Sequence, residues 1–408
     1  MAYEIDTASN HVDLLARLRR FITGRAILTT PVKTGTGNGV MSAVDSYPVA
    51  VTETWTITCT VAAANGGTFS VVGSVSGAQT SATVGTAYDN GIVKFLISDG
   101  SADFIVGDNF VFSATRGAMS VEGTPWELLR SDSTTLMVKG KGLAGTEEIY
   151  VNFKIFENIP SDIYNFVCQG AAGYVGASAV DNQPGQSPKV GLTLWNAPMK
   201  YWFIVNGRRV IIVAKVSTYY IAGYFGLILP YGTPQQYPYP LFIGANMPNN
   251  SDATNSNYNT SNYSLNSGVN SNYWSPRCAS NNHPSEYNAQ TDVTQSMLYW
   301  VDGSWQDFTQ FSSSLNYHTS VPTNVNVVLP INNNWIRDNV DGTYELTPHQ
   351  LAIVTPANAL AGELDGSFFV SGFSNGSENI INVGADSYVV VQNVFRNGVA
   401  DFAAIKLA

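Results

Sequence analysis

The sequence predicts a mainly β protein: a β-sandwich or barrel-like main domain, an inserted smaller β-sandwich, and one N-terminal amphipathic helix. Three observations predict it. Short runs of β-branched and aromatic residues alternate with Thr and Ser, Gly-containing turn signals separate them, and only one stretch carries helical periodicity. At 408 residues the chain is too long for one ordinary core and points to two or three domains.

The helix comes first. Val12, Leu14, Leu15, Leu18, Phe21 and Ile22 recur at helical spacing behind potential caps at Thr7, Ser9 or Asn10. One amphipathic helix cannot bury itself, so it docks on the β-domain or on another subunit. Leu14, Leu15, Leu18, Phe21 and Ile22 are therefore the candidate interface. Arg17, Arg19, Arg20 and Arg25 are expected on its charged face and at its C-terminal end, where cations oppose the helix dipole.

A Gly-rich stretch over 34–43 leads into strand signals from about Pro48 to Ala114. Trp55, Ile57, Cys59 and Val61 alternate with Thr54, Thr56, Thr58 and Thr60, the pattern of a half-buried strand with threonine on the wet face. Further strands are expected at Thr68–Val75, Thr80–Val84, Ile92–Ile97 and Asn109–Ala114. This spacing is what a small immunoglobulin-like sandwich requires. Gly39-Val-Met-Ser-Ala-Val before it and Gly117-Ala-Met-Ser-Val after it are near-duplicates, which supports an insertion. The expected boundaries are 1–45 for helix and linker within the main domain, 46–118 for the insertion, and 119–408 for the main β-domain.

Strands resume at Thr134–Lys139, Glu148–Phe156, Ser187–Leu194, Lys200–Val205, Arg208–Val216 and Tyr219–Leu229. Asn206-Gly207 predicts a two-residue type I′ hairpin between nearly continuous apolar runs, so that hairpin is expected to be central and covered on both faces. Residues 246–290 form a long Asn/Ser/Tyr-rich loop. Beyond it strands are expected near Met297–Val301, Asn324–Leu329, Ser367–Ser371, Ile380–Val383 and Tyr388–Phe395, while Thr347–Thr355 is either a strand or a short helix.

Composition narrows function. Only 12% of residues are charged, about half the usual share, and Gly, Asn, Ser, Thr and Tyr carry much of the polarity. Charged groups are depleted at interface cores because desolvating them is costly, so this balance suits a chain packed against copies or neighbours. It also suits a secreted adhesin. A net charge of −10 opposes unspecific binding to nucleic acid or an anionic membrane. Cys59, Cys168 and Cys278 are few and widely spaced, which argues against a disulfide framework and fits a reducing compartment. The sequence shows no secretion signal, and Lys215, Ser217, Thr218, Gly223 and Gly226 interrupt its longest apolar run.

No motif assigns catalysis, a cofactor or a metal. Gly372-Phe-Ser-Asn-Gly376 matches the serine-hydrolase elbow, but no helix follows Ser374 and the last histidine, His349, precedes it. Gly140-Lys-Gly-Leu-Ala-Gly145 matches a dinucleotide fingerprint, yet an alternating strand follows where a helix would have to cradle the pyrophosphate. His11, His283, His318 and His349 lie at no ligand spacing. Asp338-Asn-Val-Asp-Gly342 is a turn rather than a calcium loop. Aromatic platforms with neighbouring amides make Tyr258, Tyr263, Tyr273, Trp274 and Tyr287 a candidate recognition loop, with Tyr299, Trp300 and Trp305 beyond it. Subunit contact, cover for the sheet and ligand recognition all remain open for that segment.

Two terminal segments carry a family resemblance. Tyr3-Glu-Ile-Asp-Thr-Ala-Ser-Asn-His-Val-Asp-Leu-Leu-Ala-Arg-Leu-Arg-Arg-Phe-Ile-Thr and the run from Ser377 to Ala408 resemble the ends of tailed-bacteriophage virion proteins of the tail and baseplate region. The stretch from about Pro48 to Ala114 resembles β-sandwich modules inserted in such proteins. The resemblance implies a non-enzymatic structural component of the virion, built in the bacterial cytoplasm and assembled with itself under three- or six-fold symmetry and with other tail or baseplate proteins. It implies no cofactor, nucleic acid or membrane insertion. The alternatives are a tail protein that recognises a host surface glycan through residues 246–305, and a polysaccharide-degrading tail enzyme.

Overall fold

A computed structural model describes residues 2–47, 50–116, 126–143, 145–231, 238–249, 294–307, 346–353, 359–370, 372, 374–392 and 402–407. The described chain is mainly β, with one α-helix, His11–Thr23, and several sheets. It forms two compact units, one from Met1–Leu15 with Ser120–Ala408, the other from Ala16–Met119.

Asn10 starts the helix. Its side-chain oxygen accepts the Asp13 N–H at 2.9 Å, which satisfies a first-turn donor, and the Asp13 carboxylate accepts the N–H of Ser9, just before the cap, at 2.8 Å. Leu14, Leu15, Leu18, Phe21 and Ile22 are all buried within the single chain. Of the two docking alternatives left open by the sequence, the single chain already covers this apolar stripe.

In the unit Ala16–Met119 one sheet runs Ile27–Leu28, Asn109–Thr115, Glu53–Ala63, Gly66–Gly73, Gly77–Thr83, with Val32–Thr34 also paired to Asn109–Thr115. A second contains Val40–Ser46, Val93–Ser98 and Ala87–Asp89. Trp55, Ile57, Cys59, Phe69, Phe110 and Phe112 from the first share one core with Tyr88, Val93, Phe95 and Ile97 from the second, so the two sheets pack face to face.

Two local details depart from the sequence pattern. Alternation holds from Trp55 to Cys59, but the register slips between Cys59 and Val61 and leaves Val61 58% exposed. An inserted residue moves every following side chain to the opposite face. The Gly-rich stretch at 34–43 is not a linker, since Val40–Ser46 pairs along Val93–Ser98. The stretch is pinned by Asp108, whose buried carboxylate accepts N–H groups of Thr36 at 2.7 Å, Gly37 at 2.8 Å and Ile105 at 3.1 Å. Burial alone would raise that carboxyl; the three backbone donors outweigh it and hold it below its ordinary range.

In the other unit a twelve-stranded sheet runs Ala2–Ala8, Met199–Val205, Arg209–Val216, Tyr219–Leu227, Leu241–Asn249, Val190–Leu194, Ile163–Ala171, Ile149–Asn158, Thr135–Gly140, Glu127–Ser131. Thr294–Tyr299 pairs with Leu241–Asn249, and Trp305–Asp307 follows it. The opening strand Ala2–Ala8, antiparallel to Met199–Val205, has no counterpart in the sequence reading, because its mixed pattern lacks a clean period.

A six-stranded sheet contains Leu229–Pro230, Ala359–Val370, Phe402–Lys406, Asp386–Gln392 and Ile380–Val383, with Thr347–Ile353 paired to Ala359–Val370. Trp202, Ile204, Ile211, Val213, Ala222 and Tyr224 pack with Leu364, Val389, Val391, Ala403 and Ile405, so this sheet lies across one face of the long one. The opposite face, with Tyr201, Phe203, Val210, Ile212 and Phe225, is equally buried. Phe225 meets Phe153 edge to face at 5.1 Å, although their strands are not neighbours in the sheet, so the long sheet curls over. The central hairpin is therefore covered on both sides, as its continuous apolar runs require.

Candidate functional site

The central hairpin positions two polar clusters in this unit, one at its turn and one at its open end. Val205 pairs with Val210 and Lys200 with Lys215. At the turn, neither Asn206 nor Gly207 has positive φ, so the predicted type I′ turn does not form. The reason lies in what Asn206 binds. Its side-chain oxygen accepts the N–H groups of Arg208 at 2.9 Å and Arg209 at 3.0 Å, and its amide donates to Asp365 Oδ2 at 2.6 Å. Its main-chain carbonyl accepts Trp126 Nε1–H at 2.8 Å.

Gly207 is required by proximity: a Cβ there would lie 2.2 Å from the Gly142 carbonyl oxygen, and the Gly142 N–H donates to Gly207 O at 2.7 Å. The glycine motif from Gly140 to Gly145 thus joins the antiparallel strands Thr135–Gly140 and Ile149–Asn158 and touches this turn.

Arg209, fully buried, completes the first cluster. Its Nη1 donates to Ile204 O at 3.1 Å, and its Nε lies 3.5 Å from Asp365 Oδ2. Tyr224 Oη donates to Leu227 O at 2.7 Å and accepts the Asp365 N–H at 3.3 Å, with burial raising its hydroxyl far above the ordinary range. The Asp365 carboxylate and the Ile204 carbonyl offset the desolvation of this buried guanidinium and link the strand Arg209–Val216 to Ala359–Val370 of the six-stranded sheet.

The second cluster lies on the same face. Like charges directly opposed across strands repel, and Glu378 neutralises this pair: Oε2 accepts from Lys200 Nζ at 2.6 Å, while Oε1 accepts from Lys215 Nζ at 2.6 Å and Tyr220 Oη at 2.7 Å. Lys200 Nζ stands 5.0 Å from the Trp202 ring centroid and Lys215 Nζ 5.2 Å from that of Tyr220. Partial burial alone would raise the Glu378 carboxyl; the hydrogen bonds from Lys200, Lys215 and Tyr220 outweigh it and hold it down at about 2. Hydrogen bonding to Glu378 and Tyr220 raises Lys215 in turn. Glu378 itself adopts φ 71°, the left-handed region that non-glycine residues rarely occupy. The arrangement holds a carboxylate, which is the chemistry its cations and hydroxyl are suited to.

Sequence reasoning missed this site. Counting outward from a two-residue turn at Asn206-Gly207 would oppose Lys200 to Val213; the pairing of Lys200 with Lys215 follows from the longer turn the structure forms. Glu378, 163 residues beyond Lys215, gave no sequence signal either.

The residues singled out by sequence fall elsewhere. His11 is buried, with Nε2 2.5 Å from Glu157 Oε1 and its ring 4.9 Å from that of Tyr164. Ser374 sits in an exposed turn. Cys59 and Cys168 are free and buried, and burial raises the Cys168 thiol well above its ordinary range. Trp300 is buried against Tyr239, their rings 5.1 Å apart, and Trp305 Nε1 donates to Gly185 O at 2.9 Å. The candidate recognition residues Tyr258, Tyr263, Tyr273, Trp274 and Tyr287 lie outside the described residues, as do Cys278, His283, His318 and Asp338–Gly342. Thr347–Ile353, where strand and helix were both open, is a strand.

Among the described residues no three His, Cys, Asp or Glu side chains come together as a metal site, and no helix is long and apolar enough to cross a membrane. No protein-family model matches this chain, and no curated protein matches it.

Proposed function

We propose that this chain is a structural component of a tailed-bacteriophage virion, in the tail or baseplate region, where it assembles as a symmetric multimer with itself and with neighbouring tail proteins. In this reading the unit Met1–Leu15 with Ser120–Ala408 is the main β-domain, and the two-sheet unit Ala16–Met119 is an inserted immunoglobulin-like module.

The observation that carries the proposal is the resemblance at the two ends of the chain. Both ends are built into one framework: Ala2–Ala8 pairs along Met199–Val205, and Trp202 and Ile204 of that strand share a core with Ala403 and Ile405. The low charge content supports it as well, since surfaces that pack against other subunits avoid desolvating charge. With the helix stripe already covered by the single chain, the contacts with other subunits fall to the β surfaces.

Quantitative mass spectrometry of purified, salt-washed particles, scaled to the capsid protein, tests the reading. Retention at a small multiple of three or six copies per particle is expected. Absence from washed particles overturns it, and glycan-array binding and depolymerase assays then decide between the two alternatives.

A further inference from the structure

The Glu378 cluster has the form of a binding site already holding a ligand. Lys200 and Lys215 are opposed on neighbouring strands at the margin of the sheet face, with side chains 42% and 35% exposed, so water and solutes reach them. The carboxylate between them comes from the segment 374–379, which crosses to them from the six-stranded sheet. That segment is tied down by Glu378 N–H to Val390 O at 2.7 Å, Val390 N–H to Asn379 O at 2.8 Å, and Ser377 Oγ to Gln392 Oε1 at 2.7 Å. Glu378 is the third residue of the turn Gly376–Asn379, closed by Asn379 N–H to Gly376 O at 3.2 Å, and that turn accounts for its φ of 71°. Two ammonium groups and a phenol converging on one carboxylate make a recognition geometry that does not depend on which chain supplies it.

We propose that Lys200, Lys215 and Tyr220 form a carboxylate-binding site that Glu378 fills from within the chain, and that an external carboxylate can take its place. The ligand class is a carboxylate on a small molecule or on an acidic segment of a partner protein. Displacement would free the segment 374–379 from its contact with the lysines, coupling occupancy of the site to the conformation of that strap. The proposal does not depend on a role in a virion.

Chemical rescue tests it in the whole chain. Glu378→Gly removes the carboxylate and permits the positive φ. With the fold verified by circular dichroism, its melting temperature is measured at pH 7 in sodium acetate and in sodium chloride at equal ionic strength. Acetate is expected to raise it saturably by about 2–4 °C, with no such rise in the native chain or in Glu378→Gly combined with Lys200→Met and Lys215→Met. Equal melting in the two salts, or an equal acetate effect when the lysines are gone, overturns the proposal. If Glu378→Gly does not fold, amide hydrogen exchange of the native chain in citrate against chloride decides it. Faster exchange at the Glu378 N–H in citrate is expected, and an unchanged rate overturns the proposal.

Discussion

Lys215 and Glu378, 163 residues apart in the chain, meet with 2.6 Å between Nζ and Oε1. The pair ties the central hairpin of the long sheet to the segment entering the hairpin Ile380–Val383 and Asp386–Gln392 of the smaller one. Because Lys200 and Tyr220 converge on the same carboxylate, removing Glu378 leaves two opposed cations uncompensated rather than breaking one exposed ion pair.

That arrangement gives the protein an acid-sensitive term. The Glu378 carboxyl is held at about 2, below its ordinary 4.5, so its stabilisation is fully present above the ordinary value and fades as pH falls toward about 2. Glu378→Gln is expected to cost about 1–2 kcal/mol at pH 7 after solvent screening. The difference from the native chain should close between about pH 5 and pH 2, as read by urea unfolding across that range. A constant difference down to pH 2 would show that the carboxylate charge is not the cause.

The buried arginine should be far less tolerant. Arg209→Met leaves Asp365 without its guanidinium partner and is expected to destabilise the unit by about 3–5 kcal/mol. Gly366→Ala should also destabilise, because Gly366 has φ +73° and a Cβ there would lie 2.5 Å from Arg209 Nη2. Thermal unfolding of both variants against Lys154→Met, an exposed ion-pair control, separates buried from surface electrostatics.

Helix burial makes a prediction about folding rather than assembly. Leu18→Ala is expected to cost about 2–5 kcal/mol because Leu18 is fully buried, and Asn10→Ala about 1 kcal/mol through loss of the cap. Both are read by denaturant midpoints of the isolated chain. Unchanged midpoints combined with lost oligomers would return the stripe to a subunit contact.

The bulge after Cys59 separates two valine-like positions that look equivalent in the sequence. Ile57→Ala should destabilise by about 2–5 kcal/mol, whereas Val61→Thr should stay within about 0.5 kcal/mol, since Ile57 is fully buried and Val61 is 58% exposed. Equal effects in thermal melts would mean that the alternation continues through Val61.

Much of this β architecture was legible because its causes are local. Trp55 to Cys59 alternate and form a strand buried on one face; the unbroken apolar runs around Asn206 form strands buried on both. The helix was legible for the same reason, since its stripe and Asn10 cap lie within fourteen residues. The turn at Asn206 was not. Its dipeptide favours left-handed backbone, but Trp126, Arg208, Arg209 and Asp365 claim the polar groups of Asn206, and Gly142 closes on Gly207. Trp126, Asp365 and Gly142, brought in from about 60 to 160 residues away, act together with the local bonds to Arg208 and Arg209 to override a two-residue preference.

The sequence by itself determined the β class, the single helix and the unusual sparseness of charge, because each follows from periodicity or composition. Only the tertiary structure decided that the helix stripe is covered within the chain, that Ala2–Ala8 extends the long sheet, and that Glu378 is the carboxylate between the two lysines. Side-chain period reports which face is apolar but not what covers it, and a contact across 163 residues is set by packing of whole sheets rather than by any local preference of the residues that make it.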